Sequence, residues 1–162
     1  MIGKHEVDAV TIWEPEIQNA ADRLGADAIE FQDRKVYREL FNLHATAGEL
    51  ADPVQRKRIV ALVRSVMLAT QQLHKDPAQA QSLVAKSSHF DTALIARVWH
   101  HEGFPGALVP DLLDVLEAEE VYVARERSRT PRTRAELAQL IDDSVVKEVL
   151  AAEPSLRHEK TN

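Results

Sequence analysis

The sequence predicts an α/β chain with a predominantly helical C-terminal part. Three observations carry that expectation. Residues 7–13, with Val7, Val10, Thr11, Ile12 and Trp13, are rich in β-branched side chains, and two shorter apolar runs, 28–31 and 40–46, follow in the first third of the chain. From Asp52 onward apolar residues recur at three- and four-residue steps, the spacing of helix faces. A length of 162 residues with 44% apolar and 28% charged side chains is enough for a core without disulfide or metal staples.

In chain order, the first strand is expected over 7–13 and is broken by Glu14-Pro15. A helix follows from Pro15 to Leu24, with proline near its start and Gly25 where a positive-φ cap belongs. Strands over 28–31 and 40–46 complete an order of strand, helix, strand, link, strand, which belongs to a parallel or mixed sheet covered by helices. Asp52-Pro53 is an N-cap followed by proline at the first helical position, and Ile59, Leu62, Val63, Val66, Met67, Thr70 and Leu73 trace a helix of some twenty residues. Asp76-Pro77 repeats that start. Asp91 opens a third helix, whose Leu94, Ile95, Val98 and Trp99 share a face before Gly103. Pro110-Asp111 begins a longer one with Leu112, Leu113, Leu116 and Val123. Thr133-Arg134-Ala135-Glu136 fits the capping box, with Leu137, Leu140 and Ile141 behind it. Three regions result: a partial α/β lobe over 1–47, a helical part over 48–153, and a polar, flexible tail over 154–162.

The charge is uneven. Of the 26 acids and 20 bases, residues 1–52 hold 11 acids and 5 bases, so the first third carries the whole net charge of −6. An acidic chain without a basic stripe is not expected to bind nucleic acid. The five arginines between Arg125 and Arg134 read as a solvated linker for the same reason. The absence of cysteine excludes a disulfide framework, a thiolate metal site and a cysteine nucleophile. No apolar run approaches the roughly 20 residues needed to span a bilayer, and the start, Met1 to Glu6, lacks the layout of a signal peptide.

Catalytic and metal motifs find little support. His100-His101-Glu102 is the densest cluster, but adjacent helical residues point about 100° apart, so the two imidazoles do not converge on one ion. Ser87-Ser88-His89 looks like a helix end rather than a catalytic triad, and no glycine-rich phosphate loop is present. No metal ligands, catalytic residues or cofactor are expected. Trp13-Glu14-Pro15 is different, because an indole and a carboxylate at the end of a strand sit where ligands gather in open α/β sheets. The plainer alternative has Trp13 closing the end of the sheet and Glu14 capping the helix that follows.

The run from Glu6 to Pro15 resembles the V-D-A-x-x-x-W-E-P segment of the substrate-binding proteins of ABC importers for nitrate, taurine and aliphatic sulfonates. Residues Tyr37 to Leu43 are similar to the family's strand returning between lobes, Leu50-Ala51-Asp52-Pro53 to the start of its long helix, and Asp76-Pro77-Ala78-Gln79-Ala80 to its N-P-E-E-A helix start. Thr130-Pro131 with Leu137 to Val149 resembles its closing segment, so the likeness spans about Glu6 to Glu153. The resemblance implies a partial type II periplasmic-binding-protein-like fold, in a C-terminal fragment or truncated relative. It also implies a non-enzymatic role: capture of a small-molecule solute and its delivery to an ABC permease, in the periplasm or outside the cell. Trp13 and Glu14 would be ligand contacts, with Glu14 meeting a cationic or donor group. The rival expectation is a cytosolic helical module that binds a protein partner or itself as a homo-oligomer. An enzyme of the pyrimidine-synthesising branch of the same group is disfavoured, since that branch relies on cysteine and histidine motifs this chain lacks.

Overall fold

The computed structural model describes residues 6–33 and 36–157. Eight α-helices are present among them: α1 (Glu16–Leu24), α2 (Ala47–Ala51), α3 (Pro53–Lys75), α4 (Pro77–Ser88), α5 (Thr92–Val98), α6 (Leu112–Glu126), α7 (Arg134–Ala138) and α8 (Ser144–Ala152). Short 3-10 turns follow α1, α5 and α8 at Gly25–Asp27, Trp99–His101 and Pro154–Leu156. No strand occurs among the described residues. The α/β, type II periplasmic-binding-protein-like expectation is therefore corrected to an all-helical architecture.

The correction falls on the three expected strands. Residues 7–13 and 28–31 are irregular, and 40–45 are irregular up to Thr46, which serves as the N-cap of α2. A helix satisfies its main-chain groups within itself, whereas a strand exists only where a neighbour supplies the ladder. Apolar, β-branched runs express a fit to a pleated, half-buried surface rather than a backbone preference. Here no such surface forms, and Ile29, Phe31, Phe41 and Leu43 stay exposed.

Helix boundaries follow local side-chain chemistry closely. The Asp52 carboxylate accepts from the N–H groups of Val54 and Gln55, that of Asp76 from Gln79, and that of Asp91 from Ala93 and Leu94. Each therefore closes orphan amides at a helix start. Thr46 with Glu49 and Thr133 with Glu136 form reciprocal capping boxes. Gly25 closes α1 at φ +58°, and His89 closes α4 in the left-handed conformation at φ +62°.

Contacts divide the chain into two compact units. The first comprises Met1–Tyr37 and Gln72–Phe104. Its buried side chains come from α4 and α5: Ala80, Ala85, Leu94, Ile95 and Val98. Arg97 of α5 pairs with Asp22 of α1, and the rings of Trp99 and Phe104 lie 4.9 Å apart.

The second unit comprises Arg38–Gln71 and Pro105–Asn162. Met67, Val149 and Leu156 form its innermost cluster, with Val60, Val63, Leu68, Val146 and Leu150 packed around them. On α3, Arg56, Val60, Val63, Arg64, Met67 and Gln71 fall on one stripe. Arg56 reaches Glu148 at 2.8 Å, Arg64 pairs with Glu153, and the Gln71 amide donates to the Ser155 carbonyl. This face differs in part from the one expected, since Leu62 and Val66 point outward at 53% and 40% exposure. The polar composition after Pro154 gives no hint of Leu156, which is 1% exposed.

Candidate functional site

Every element of the candidate site lies in the first unit. Glu14 precedes α1 and holds two roles at once. One carboxylate oxygen accepts the Gln18 N–H at 3.2 Å, which caps α1, and the other lies 3.8 Å from His101 Nε2. That second distance is an ion pair when the imidazole is protonated. The Glu14 side chain is only 8% exposed and that of His101 20%. The helix-capping alternative for Glu14 is thus present in the geometry, and it leaves the oxygen nearer His101 off the helix amides.

That oxygen belongs to the wall of a groove of about 490 Å³. Its floor is the apolar side of α1, with Ile17, Ala20, Ala21 and Leu24, and its sides are the irregular runs 8–12 and 28–32. The volume falls within the range of small-ligand sites, roughly 300–1,000 Å³. Among the described residues four carboxylates line it, Asp8, Glu14, Asp27 and Glu30, against one imidazole, that of His101. Four of the eleven acids of residues 1–52 thus share one concave surface.

Of the two residues the sequence singles out, Glu14 lines this groove and Trp13 does not. The Trp13 indole is 69% exposed, and its carbonyl accepts the Glu16 N–H at 3.1 Å within the turn. An exposed indole offers a face to an apolar or cationic group. His101 is a groove residue that the sequence does not single out: its pattern marks it only as a neighbour of His100, whose ring centroid lies 3.8 Å from its own. No spacing rule links His101 to Glu14 across 87 positions of chain. A second, shallower depression lies on the same unit, lined by Gln18, Asp22, Glu30 and Arg97, with the Asp22–Arg97 ion pair across it.

Elsewhere the charged groups serve the fold. Glu120 of α6, 6% exposed, accepts from the Arg129 guanidinium through both oxygens, from the Arg132 main-chain N–H and from the Arg132 side chain. The Arg129 hydrogen bonds, helped by the Arg132 amide, hold its carboxyl at about 2. Arg134 bridges Asp114 and Glu117 at 2.6 Å each. Three of the five arginines expected to form a solvated linker therefore fasten the segment after α6 back onto α6. Asp114, Glu117 and Glu120 at three-residue steps are the signal that could have revealed it.

Among the described residues no group of three or more His, Asp and Glu side chains could hold a metal ion, and no helix is long and apolar enough to cross a membrane. Comparison with protein-family models, with curated proteins and with solved structures returns no match.

Proposed function

We propose that this chain is a solute-binding component of an ABC importer for nitrate, taurine, aliphatic sulfonates or similar small solutes, acting by capture rather than by catalysis. The observation that carries the reading is the groove beside the Trp13-Glu14-Pro15 turn, with an almost buried carboxylate and an imidazole on its wall. The sequence resemblance from Glu6 to Glu153 supplies the transport context, with an ABC permease as partner and a periplasmic or extracellular location.

Glu14 would hold an ammonium or another donor of the solute through the oxygen nearer His101, and the exposed Trp13 indole, next to Glu14 but outside the groove lining, would be the second contact, at the rim. A zwitterion such as taurine suits this pair of contacts better than a bare anion, because the carboxylates on the groove repel nitrate. Calorimetric titration with taurine, alkanesulfonates and nitrate tests the reading. Heat with taurine, lost in Glu14→Gln, is the expected result. Absence of heat with all three, together with no rise in melting temperature, overturns it.

A second reading, self-association or binding of a protein partner, is favoured by the exposure of large apolar side chains: Phe31 at 93%, Phe41 at 89% and Val36 at 83%. Light scattering across a concentration series decides on self-association, and a strict monomer at all concentrations counts against it.

A further inference from the structure

We infer that the groove of the first unit takes a short basic peptide in extended form, held by main-chain hydrogen bonds along residues 8–12 and 29–32. The inference rests on the reading of this groove as the ligand site and names a further class of ligand that it takes beside the small solutes proposed above.

The walls carry the argument. Asp8, Ala9, Val10, Thr11 and Ile12 line one side without a gap, and Ala28, Ile29, Glu30, Phe31 and Gln32 line the other. Where side chains alone form a wall, alternate residues of a non-helical run face away from it. When every residue lines the wall, the main chain itself faces the groove. Those main chains are open for pairing: among the described residues, no main-chain hydrogen bond is made by 8–12 or 29–32, and the bonds flanking them are the Trp13 carbonyl accepting from Glu16, the Ala28 N–H donating to Gly25 and the Asp33 carbonyl accepting from Val36 and Tyr37. Two five-residue walls match the usual length of a strand, about 5–6 residues. A peptide laid between them offers the donors and acceptors they lack, which is how peptides add to exposed main-chain edges.

The side chains select the peptide. The floor of Ile17, Ala20, Ala21 and Leu24 accepts apolar residues, and Val10, Ile12, Ile29 and Phe31, all more than a third exposed, add apolar contact along the walls. Asp8, Glu14, Asp27 and Glu30 supply four carboxylates, and His101 is the one basic side chain among the described residues that line the groove. A segment alternating apolar and basic residues complements both features, since alternate side chains of an extended chain point to opposite faces. An acidic segment is repelled.

The experiment is calorimetric titration of the full chain with an acetylated, amidated hexapeptide alternating lysine and valine. It is run beside the glutamate–valine analogue, the lysine–valine peptide with alternate amides N-methylated, and taurine. The lysine–valine peptide is expected to bind with an affinity that falls as salt rises, and both analogues to bind about tenfold or more weakly. The double variant Asp8→Lys with Glu30→Lys changes two exposed side chains outside the core and is expected to lose the peptide by a similar factor. Equal binding of the N-methylated or the glutamate peptide overturns the inference. Binding of taurine but of no peptide overturns it while leaving the solute-capture reading in place, and binding of neither overturns both.

Discussion

The irregular runs 28–33 and 36–43 and the packing of α8 on α3 use similar side chains to opposite ends. Both hold apolar residues at regular spacing, yet Phe31 and Phe41 are about nine-tenths exposed, whereas Met67, Val149 and Leu156 are at most 2% exposed. The difference is the presence of a second face. Helices α3 and α8 each complete their own hydrogen bonds internally and meet stripe to stripe, with Arg56–Glu148 and Arg64–Glu153 along the seam. Residues 28–33 and 36–43 have no such independence, because an extended run needs a neighbour both for its main chain and for its apolar side. Hydrophobicity in this protein marks where burial is wanted; only a matching surface turns it into structure.

Mutations at the two extremes test that contrast most directly. Leu156→Ala empties a site that α3 and α8 close over and is expected to cost about 2–5 kcal/mol in urea unfolding. Glu120→Gln comes next. Because the folded-state pKa is depressed, the stability from this carboxylate is fully present above its ordinary value of 4.5 and is lost as pH falls toward about 2. Acid unfolding of the wild type should show a loss in that window that is reduced in Glu120→Gln, and an identical pH profile would refute the assignment.

Gly106→Ala is expected to cost about 1–3 kcal/mol. Its φ is +56°, and an added Cβ would stand 2.9 Å from three side-chain atoms of Thr70, which is itself buried. Thr133→Ala should lose about 1 kcal/mol, because its capping box starts a helix that buries Leu137. Thr46→Ala removes the same bonds from α2, which buries nothing, so global unfolding should not move while hydrogen exchange in α2 speeds up. Smallest of all, Phe41→Ser should change stability by less than about 0.5 kcal/mol. A larger loss would show that Phe41 is covered in solution and would favour self-association.

Much of the helical half was legible in the sequence. The starts at Asp52, Asp76 and Asp91 and the box at Thr133 depend on a side chain bonding amides two or three positions ahead, so residue order alone specifies them. The site was legible in part: Trp13 and Glu14 stand out as types at a proline turn, while His101 and the walls of the groove come from distant or featureless sequence. The arginine-rich segment was misread because a charged run looks alike whether it is solvated or tied to Glu120.

The sequence by itself determined the starts of α3, α4, α5 and α7, the concentration of acid in the first third and the polar turn at Glu14. The tertiary structure alone decided that residues 7–13, 28–31 and 40–46 do not pair, which face of α3 is buried, that Leu156 plugs the α3–α8 seam, and that Glu14 meets His101. The division has one physical cause. Caps and helices are closed by bonds between residues a few positions apart, whereas strands, cores and sites require surfaces that meet only after the chain has folded.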